Sequence, residues 1–223
     1  MPLFPAPSTE PELSPMRKGI LADFKALITE LAGEGMRFII ICGGGKTARQ
    51  YQEAAARVSR LRPEDIDWMG IHATRLNAQL VKTLFLGMVH ERVIHDPTET
   101  IAFTEPVLIA AGWKPGFSTD YDAVMLAKNF GVKTVVNLSN IDYVYDKHPG
   151  TNGDAKPFKR ISWPAFRKVV GDRWDPGLNA PFDPVAAAEA EASGISVVVM
   201  QGTDIENIRR FLKGGEFRGT VIQ

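Results

Sequence analysis

Only one cysteine, Cys42, occurs in 223 residues, so no disulfide can form within the chain and nothing points to an oxidising compartment. Net charge is lacking too: 26 lysines and arginines face 26 aspartates and glutamates. That balance removes the general electrostatic attraction on which nucleic-acid binders depend, and disfavours such a role. There is no long apolar run. The strongest, residues 38–42 and 197–200, fall far short of the roughly 20 residues needed to cross a bilayer. The opening MPLFPAPSTEPELSP has neither the basic start nor the apolar stretch of a secretory signal. Its five prolines predict an extended leader over residues 1–16. The expected address is cytoplasmic.

What is present suits a globular protein: 44% of residues are hydrophobic and 23% charged. No Ser/Gly/Pro tract divides the interior and no repeat is visible, which predicts one domain over residues 17–223. From Arg17, Ile20, Leu21, Phe24, Leu27, Ile28 and Leu31 recur at helical spacing. RFIIIC (37–42) reads as a strand, glycines 43–45 as a turn, and KTARQYQEAAARVSRL as a helix. A second helix is expected over residues 63–85, where a proline and two acidic residues suit a first turn. Strands are expected at 106–112, 133–140, 195–200 and 219–222, and helices at 118–131, 183–194 and 204–214. Continuous apolar strands alternating with helices predict an α/β fold with a parallel sheet covered on both faces. In such sheets ligands bind beyond the carboxyl ends of strands.

Three segments follow strand ends. Glycines 43–45 let the backbone approach a ligand, and a helix N-terminus behind them suits phosphate. A bare GGG is equally a tight turn, but Lys46 and Arg49 add cations within one helical turn. The segment matches neither a P-loop nor a GxGxxG fingerprint. The second segment, AGWKPGFSTDYDA (111–123), combines Lys114, two glycines and two hydroxyls at a helix start. Capping explains Ser118 and the acidic first turn but not Lys114. Asp120 or Asp122 could orient a metal or a lysine there. The third, NLSNIDYVYDKHPG (137–150), crowds Ser139, Asn140 and Asp142 after a strand, with Tyr143 and Tyr145 as flat surfaces for a base. A polar loop with aromatic cover is the plainer account. Two anion loops and a base-stacking loop on one sheet edge suggest phosphoryl transfer between two phosphorylated ligands, assisted by Mg²⁺. His72, His90, His95 and His148 share no metal-ligand spacing, and Cys42 is expected to pack as a small apolar residue.

ICGGGKTAR, DWMGIHATRLNA, AGWKPGFSTDYDA, NLSNIDYVYDKHP, FDPVAAAEA and the final GTVI resemble, in that order, the motifs of uridylate (UMP) kinases of the amino acid kinase superfamily, particularly the archaeal-type branch. The resemblance covers about residues 17–223. It implies a three-layer αβα sandwich, ATP-dependent phosphorylation of UMP to UDP in pyrimidine nucleotide biosynthesis, Mg²⁺ dependence and a homohexamer. By the same resemblance, Gly44 contacts UMP, Gly45 and Arg49 contact ATP phosphates, and Asp67 holds the UMP ribose. Trp113, Lys114, Pro115, Gly116, Phe117, Ser118 and Thr119 form the loop around UMP. Ser139, Asn140 and Tyr145 bind ATP, and Asp120 and Asp142 occupy the acidic catalytic positions. Thr74 and Asn77 lie in a signature helix without assigned contacts.

Two departures stand out. His148 replaces an aspartate that relatives often place beside the nucleotide. These kinases also open with a strand and a GGS loop, often preceded by lysine, and no such segment occurs here. MPLFPAP resembles the stretch just after that loop, so the first strand is expected upstream of Met1 and activity of residues 1–223 is expected to be impaired. Competing readings are a kinase of the same superfamily for another small phosphate or carboxylate acceptor, and a nucleotide-binding protein without turnover.

Overall fold

The computed structural model describes residues 15–147, 149–171 and 180–223. The leader up to Ser14 and His148 lie outside the described residues. In chain order the elements are α1 (Pro15–Gly33), β1 (Phe38–Ile41), α2 (Gly45–Ala56), α3 (Pro63–Leu84), β2 (Val89–Ile94), β3 (Val107–Ala110), α4 (Thr119–Asn129), β4 (Thr134–Ser139) and β5 (Val144–Tyr145). There follow β6 (Pro157–Phe158), β7 (Arg160–Ile161), α5 (Trp163–Val170), α6 (Pro184–Ala192), β8 (Ser196–Gln201), α7 (Ile205–Leu212) and β9 (Thr220–Ile222).

The local chemistry explains most boundaries. Ser118 caps α4 by accepting the Tyr121 N–H at 3.2 Å. Asp183 caps α6 by accepting from Val185 at 2.6 Å and Ala186 at 2.8 Å, and Asp204 caps α7 through Asn207 at 3.0 Å. These side chains satisfy amide groups that a helix start leaves without partners. At the other end of α4, Gly131 turns at φ +68°, which glycine adopts without strain. Five elements escape the sequence reading: β2, α5 and the two-residue strands β5, β6 and β7. β2 sets His90, Glu91 and Arg92 in succession between its apolar residues, as an edge strand can, and α5 has only eight residues.

The predicted single sheet is instead two sheets and a ribbon. One sheet has the order β1-β3-β2, the other β4-β8-β9-β7, and β5 pairs with β6. β1–β3, β2–β3, β4–β8 and β7–β9 are parallel, while β8–β9 and β5–β6 are antiparallel. β3 is buried along its length, as is the centre of β8. In β1 and β4, by contrast, no residue is fully buried. Each is the outer strand of its sheet among the described residues.

What joins the sheets is helix packing. On one face α1 presents Ile28 to a cluster with Val107, Ile109 and Phe85, and presents Leu27 and Leu31 to Val198, Met200 and Ile208. On the opposite face α4 places Leu126 against Ile94, Leu108 and Ala110, and Val124 and Ala127 against Val197, Val199 and α6. The result is the expected αβα layering, with each bridging helix buried against both sheets. Cys42 is buried, as expected, and burial pushes its thiol up to about 12.

Phe85 is 1% exposed and meets Phe24 of α1 edge to face, with centroids 6.5 Å apart. Phe85→Ala should cost about 3–5 kcal/mol through lost burial and the cavity left behind. Urea unfolding checks this, and a loss below about 1 kcal/mol would contradict the packing described.

Candidate active site

The chain leaves β1 through the glycine turn. Gly45 stands at φ +58°. A Cβ on Gly44 would lie 2.7 Å from the Ala48 Cβ and 3.2 Å from the Gly70 carbonyl oxygen. The tight approach of α2 to α3 thus demands glycine at 44, independently of any ligand. Gly44 caps α2 without a side-chain bond, and the first turn of α2 has no acidic residue. The N-terminal amides and their partial positive charge are left for an external anion. Lys46 and Arg49 stand exposed beside them and pair with nothing among the described residues.

α3 holds this turn and the loop after β3 at fixed positions. Asn77 Nδ2 donates to the Gly43 carbonyl at 2.7 Å and to that of Gly44 at 3.3 Å. Three residues earlier, the buried Thr74 hydroxyl accepts the Gly112 N–H at 2.8 Å and donates to the Ile71 carbonyl at 2.6 Å. Arg75 Nη2 donates to the Trp113 carbonyl at 3.1 Å. Asp67, one helical stretch back, accepts the Gly116 N–H at 2.9 Å, where Gly116 turns at φ +87°. The roles of Thr74 and Asn77, left open by sequence, are therefore to pin two loops to one helix. One oxygen of Asp67 is engaged in the same task.

Within the second loop the aromatic rings stack in series. The Trp113 and Phe117 centroids are 5.3 Å apart, those of Phe117 and Tyr121 4.7 Å, and Lys114 Nζ lies 3.7 Å from the Trp113 centroid. A cation over a ring face gains from the ring quadrupole. Lys114 and Gly116 are exposed, while Trp113, Pro115, Phe117, Ser118 and Thr119 are half-buried. A Cβ on Gly43 would come within 3.8 Å of Thr119 Oγ1, so the two loops adjoin.

Behind them three carboxylates converge. Asp120 Oδ2 accepts the Asp183 N–H at 3.0 Å, and Asp122 Oδ2 accepts the Trp113 N–H at 3.0 Å. Burial pushes Asp120 up to about 6, against that hydrogen bond and with the Asp183 charge adding to the rise. Burial pushes the fully buried Asp122 up to about 7, opposed by the Trp113 N–H and reinforced by Asp96, Asp120 and Asp183. Its Oδ1 has no hydrogen-bond partner among the described residues. The α4 N-terminus favours ionised carboxylates, but desolvation outweighs it here. Sequence reasoning missed Asp183 as a member of the site; an aspartate before proline at a helix start, within FDPVAAAEA, was the available signal.

The third segment lies at the end of β4. Ser139 Oγ and Asn140 Oδ1 are 3.4 Å apart, and Tyr143 and Tyr145 meet edge to face at 6.5 Å. Asp142 does not join the carboxylate group; its charge acts on Arg218, which is paired with Asp204. No group of three or more His, Cys, Asp or Glu able to hold a metal occurs among the described residues.

Two glycine-shaped loops at the carboxyl ends of parallel strands, one carrying Lys46 and Arg49 and the other Lys114, define a small-molecule kinase of α/β architecture. The Amino acid kinase family pattern matches residues 12–201. The chain belongs to the amino acid kinase family. It is 33% identical to the uridylate kinase of Hyperthermus butylicus over 216 residues, 94% of this chain and 93% of that protein. Identity to the uridylate kinase of Methanospirillum hungatei is 32% over 88% of this chain and 84% of that one. The crystal structure of the Archaeoglobus fulgidus uridylate kinase superposes with a TM-score of 0.81 at 31% identity, covering 95% of both chains. The UMP kinase of Bacillus anthracis shares the fold, with a TM-score of 0.72 at 19% identity.

Between the ordinary carboxylate pKa and about 7, the folded chain retains protons at Asp122 that the unfolded chain releases. Stability attributable to that group therefore falls as pH rises through this window. Asp122→Asn keeps an acceptor for Trp113 but cannot ionise. Its Tm relative to the native chain should rise from pH 5 to pH 8, and a constant difference would place the Asp122 pKa near its usual value.

Proposed function

We propose that this chain is an ATP-dependent UMP kinase of pyrimidine nucleotide biosynthesis, acting as a homo-oligomer in the cytoplasm, hexameric by resemblance to its family. The observation that carries this reading is the pair of anion loops held against one helix, taken with relatives named uridylate kinases that align over nearly their whole length. In this reading Gly45, Lys46 and Arg49 receive phosphates of ATP, and Ser139, Asn140 and Tyr145 receive its nucleoside. The loop from Trp113 to Thr119, with Gly44 and Asp67, encloses UMP. Residues 17–223 act as one domain.

The reaction makes modest demands on the protein. A UMP phosphate oxygen attacks the γ-phosphorus of ATP, the bond to the β-phosphate oxygen breaks, and ADP carries away the electron pair. A phosphate monoester has its second pKa near 6, so the nucleophile is already ionised at neutral pH. No general base is required. Asp120 and Asp142 are accordingly assigned to orienting cations rather than abstracting protons. Mg²⁺ normally keeps several waters and binds through substrate phosphates with one or two carboxylates. Asp120 fits that limited role, because only its Oδ2 is hydrogen-bonded among the described residues. Bound there, Mg²⁺ would neutralise charge on the transferring group, while Lys46, Arg49 and Lys114 do the same from the protein side.

Coupled measurement of ADP release with UMP, CMP, AMP and isopentenyl phosphate tests the assignment. UMP should be preferred by at least about tenfold in kcat/KM, equivalent to about 1.4 kcal/mol. Thermal stabilisation by UMP and ATP without ADP release would replace the kinase with a nucleotide-binding role. Arg49→Ala should raise the KM for ATP about tenfold or more, the scale of one charge-assisted hydrogen bond, with Tm essentially unchanged because Arg49 supports nothing else.

A further inference from the structure

β2 ends beside β3, with Ile94 opposite Ala110, so the residues that follow each strand come together at the same sheet edge. Asp96 lies there, two residues beyond β2. Its Oδ1 accepts the Thr98 N–H at 2.9 Å and the Thr98 hydroxyl at 2.6 Å, which fixes the carboxylate from within its own turn. Those bonds, the hydroxyl first and then the N–H, hold Asp96 below the ordinary carboxylate range against burial. The Trp113 side chain, whose one polar group is its indole N–H, and the charge of Lys114 lower it further.

The backbone around Lys114 is tied on both sides. The Trp113 N–H goes to Asp122 Oδ2 at 3.0 Å, and the Trp113 carbonyl accepts from Arg75 at 3.1 Å. Pro115 restricts the residue before it, and the Gly116 N–H is held by Asp67 at 2.9 Å. What is left to move is the Lys114 side chain, which is exposed and makes no ion pair among the described residues. It nevertheless has a place: Nζ lies 3.7 Å from the Trp113 centroid and 5.3 Å from that of Phe117. An indole whose N–H points at a carboxylate is polarised towards its faces, which favours a cation there.

We infer that Asp96 and Trp113 form a seat for the Lys114 ammonium, from which the phosphomonoester of the acceptor draws it, and that Asp96 is a positioning residue acting on Lys114 through the indole. The inference rests on the reading of residues 113–119 as the acceptor loop. A cation on a ring face is held less strongly than one hydrogen-bonded to a phosphate dianion, so the lysine is stored close to its task without being withheld from it. The seat keeps a long side chain from wandering through solvent, and so reduces the rotamer freedom lost when the phosphate arrives. Asp96 contributes no contact of its own to the acceptor. Its effect passes entirely through Lys114.

The test uses the full chain with Lys114→Met, Asp96→Asn, Trp113→Leu and the double variant of the first two. In proton NMR of the free chain the Lys114 ε-methylene signal, identified by its loss in Lys114→Met, should lie upfield of the other lysines under the indole ring current. Trp113→Leu should return it to the common position, and so should addition of UMP or of inorganic phosphate to the native chain. Lys114→Met should raise the KM for UMP about tenfold or more, as loss of one charge-assisted hydrogen bond does. Asp96→Asn, which keeps an acceptor for Thr98, should raise it about threefold, the scale of a cation over a ring. The double variant should be no worse than Lys114→Met, whereas a merely structural Asp96 would multiply the two penalties. An unshifted Lys114 signal in the free chain, a shifted one that ignores both UMP and phosphate, an unchanged KM in Lys114→Met, or multiplying penalties would each overturn the inference. A native chain that does not phosphorylate UMP would overturn the kinase reading instead, and the phosphate titration would then decide on the seat.

Discussion

Among the described residues, the two sheets are joined by side chains rather than by backbone hydrogen bonds. α1 and α4 each bury one stripe against the first sheet and an adjacent stripe against the second, so two short helical surfaces carry what a continuous ladder usually carries. Apolar packing is non-directional and depends on area, whereas a ladder fixes register residue by residue. The relative placement of β1 and β4 therefore rests on how well Leu27, Ile28, Leu31, Val124, Leu126 and Ala127 fit their neighbours. Surface ion pairs such as Lys213 with Glu34 and Lys128 with Glu189 add little to this at their exposure.

The site follows from a second use of helices. α3 lies under both anion loops and binds their backbones through Thr74, Arg75, Asn77 and Asp67. Side chains that could have met a ligand directly are spent on holding peptide groups in place. The cations that remain unpaired, Lys46 and Arg49, sit on the loop those side chains hold. The acidic residues are divided in the same manner: Asp183 and Asp122 hold amides inside the protein, and Asp120 keeps one oxygen free among the described residues.

Much of this was legible in the chain itself. Apolar β-branched runs gave the long strands, glycine and capping residues gave their ends, and strand-to-helix turns marked the three loops. Residues that act through the backbone of distant segments were not legible. Nothing local to Thr74 or Asn77 says that their partners lie some 35 positions away along the chain. Nor does anything local to Asp142 say that its charge acts on Arg218, far along the chain. The division into two sheets was equally hidden, because strand periodicity reports which faces are apolar and carries no information about which edges find partners.

Gly44 and Gly112 give the pinning by α3 a further meaning. Each lacks a side chain where α3 comes closest, with Ala48 and Gly70 around one and Thr74 Oγ1 at 2.9 Å from the Cβ position of the other. The two loops therefore share one rigid reference body. Translational and rotational freedom that two phosphorylated ligands lose on meeting in solution is here removed in two separate binding steps, and their mutual orientation is set before either arrives. For a transfer that needs no proton abstraction, this prior loss of entropy is a contribution the scaffold makes to the rate before any charge is neutralised.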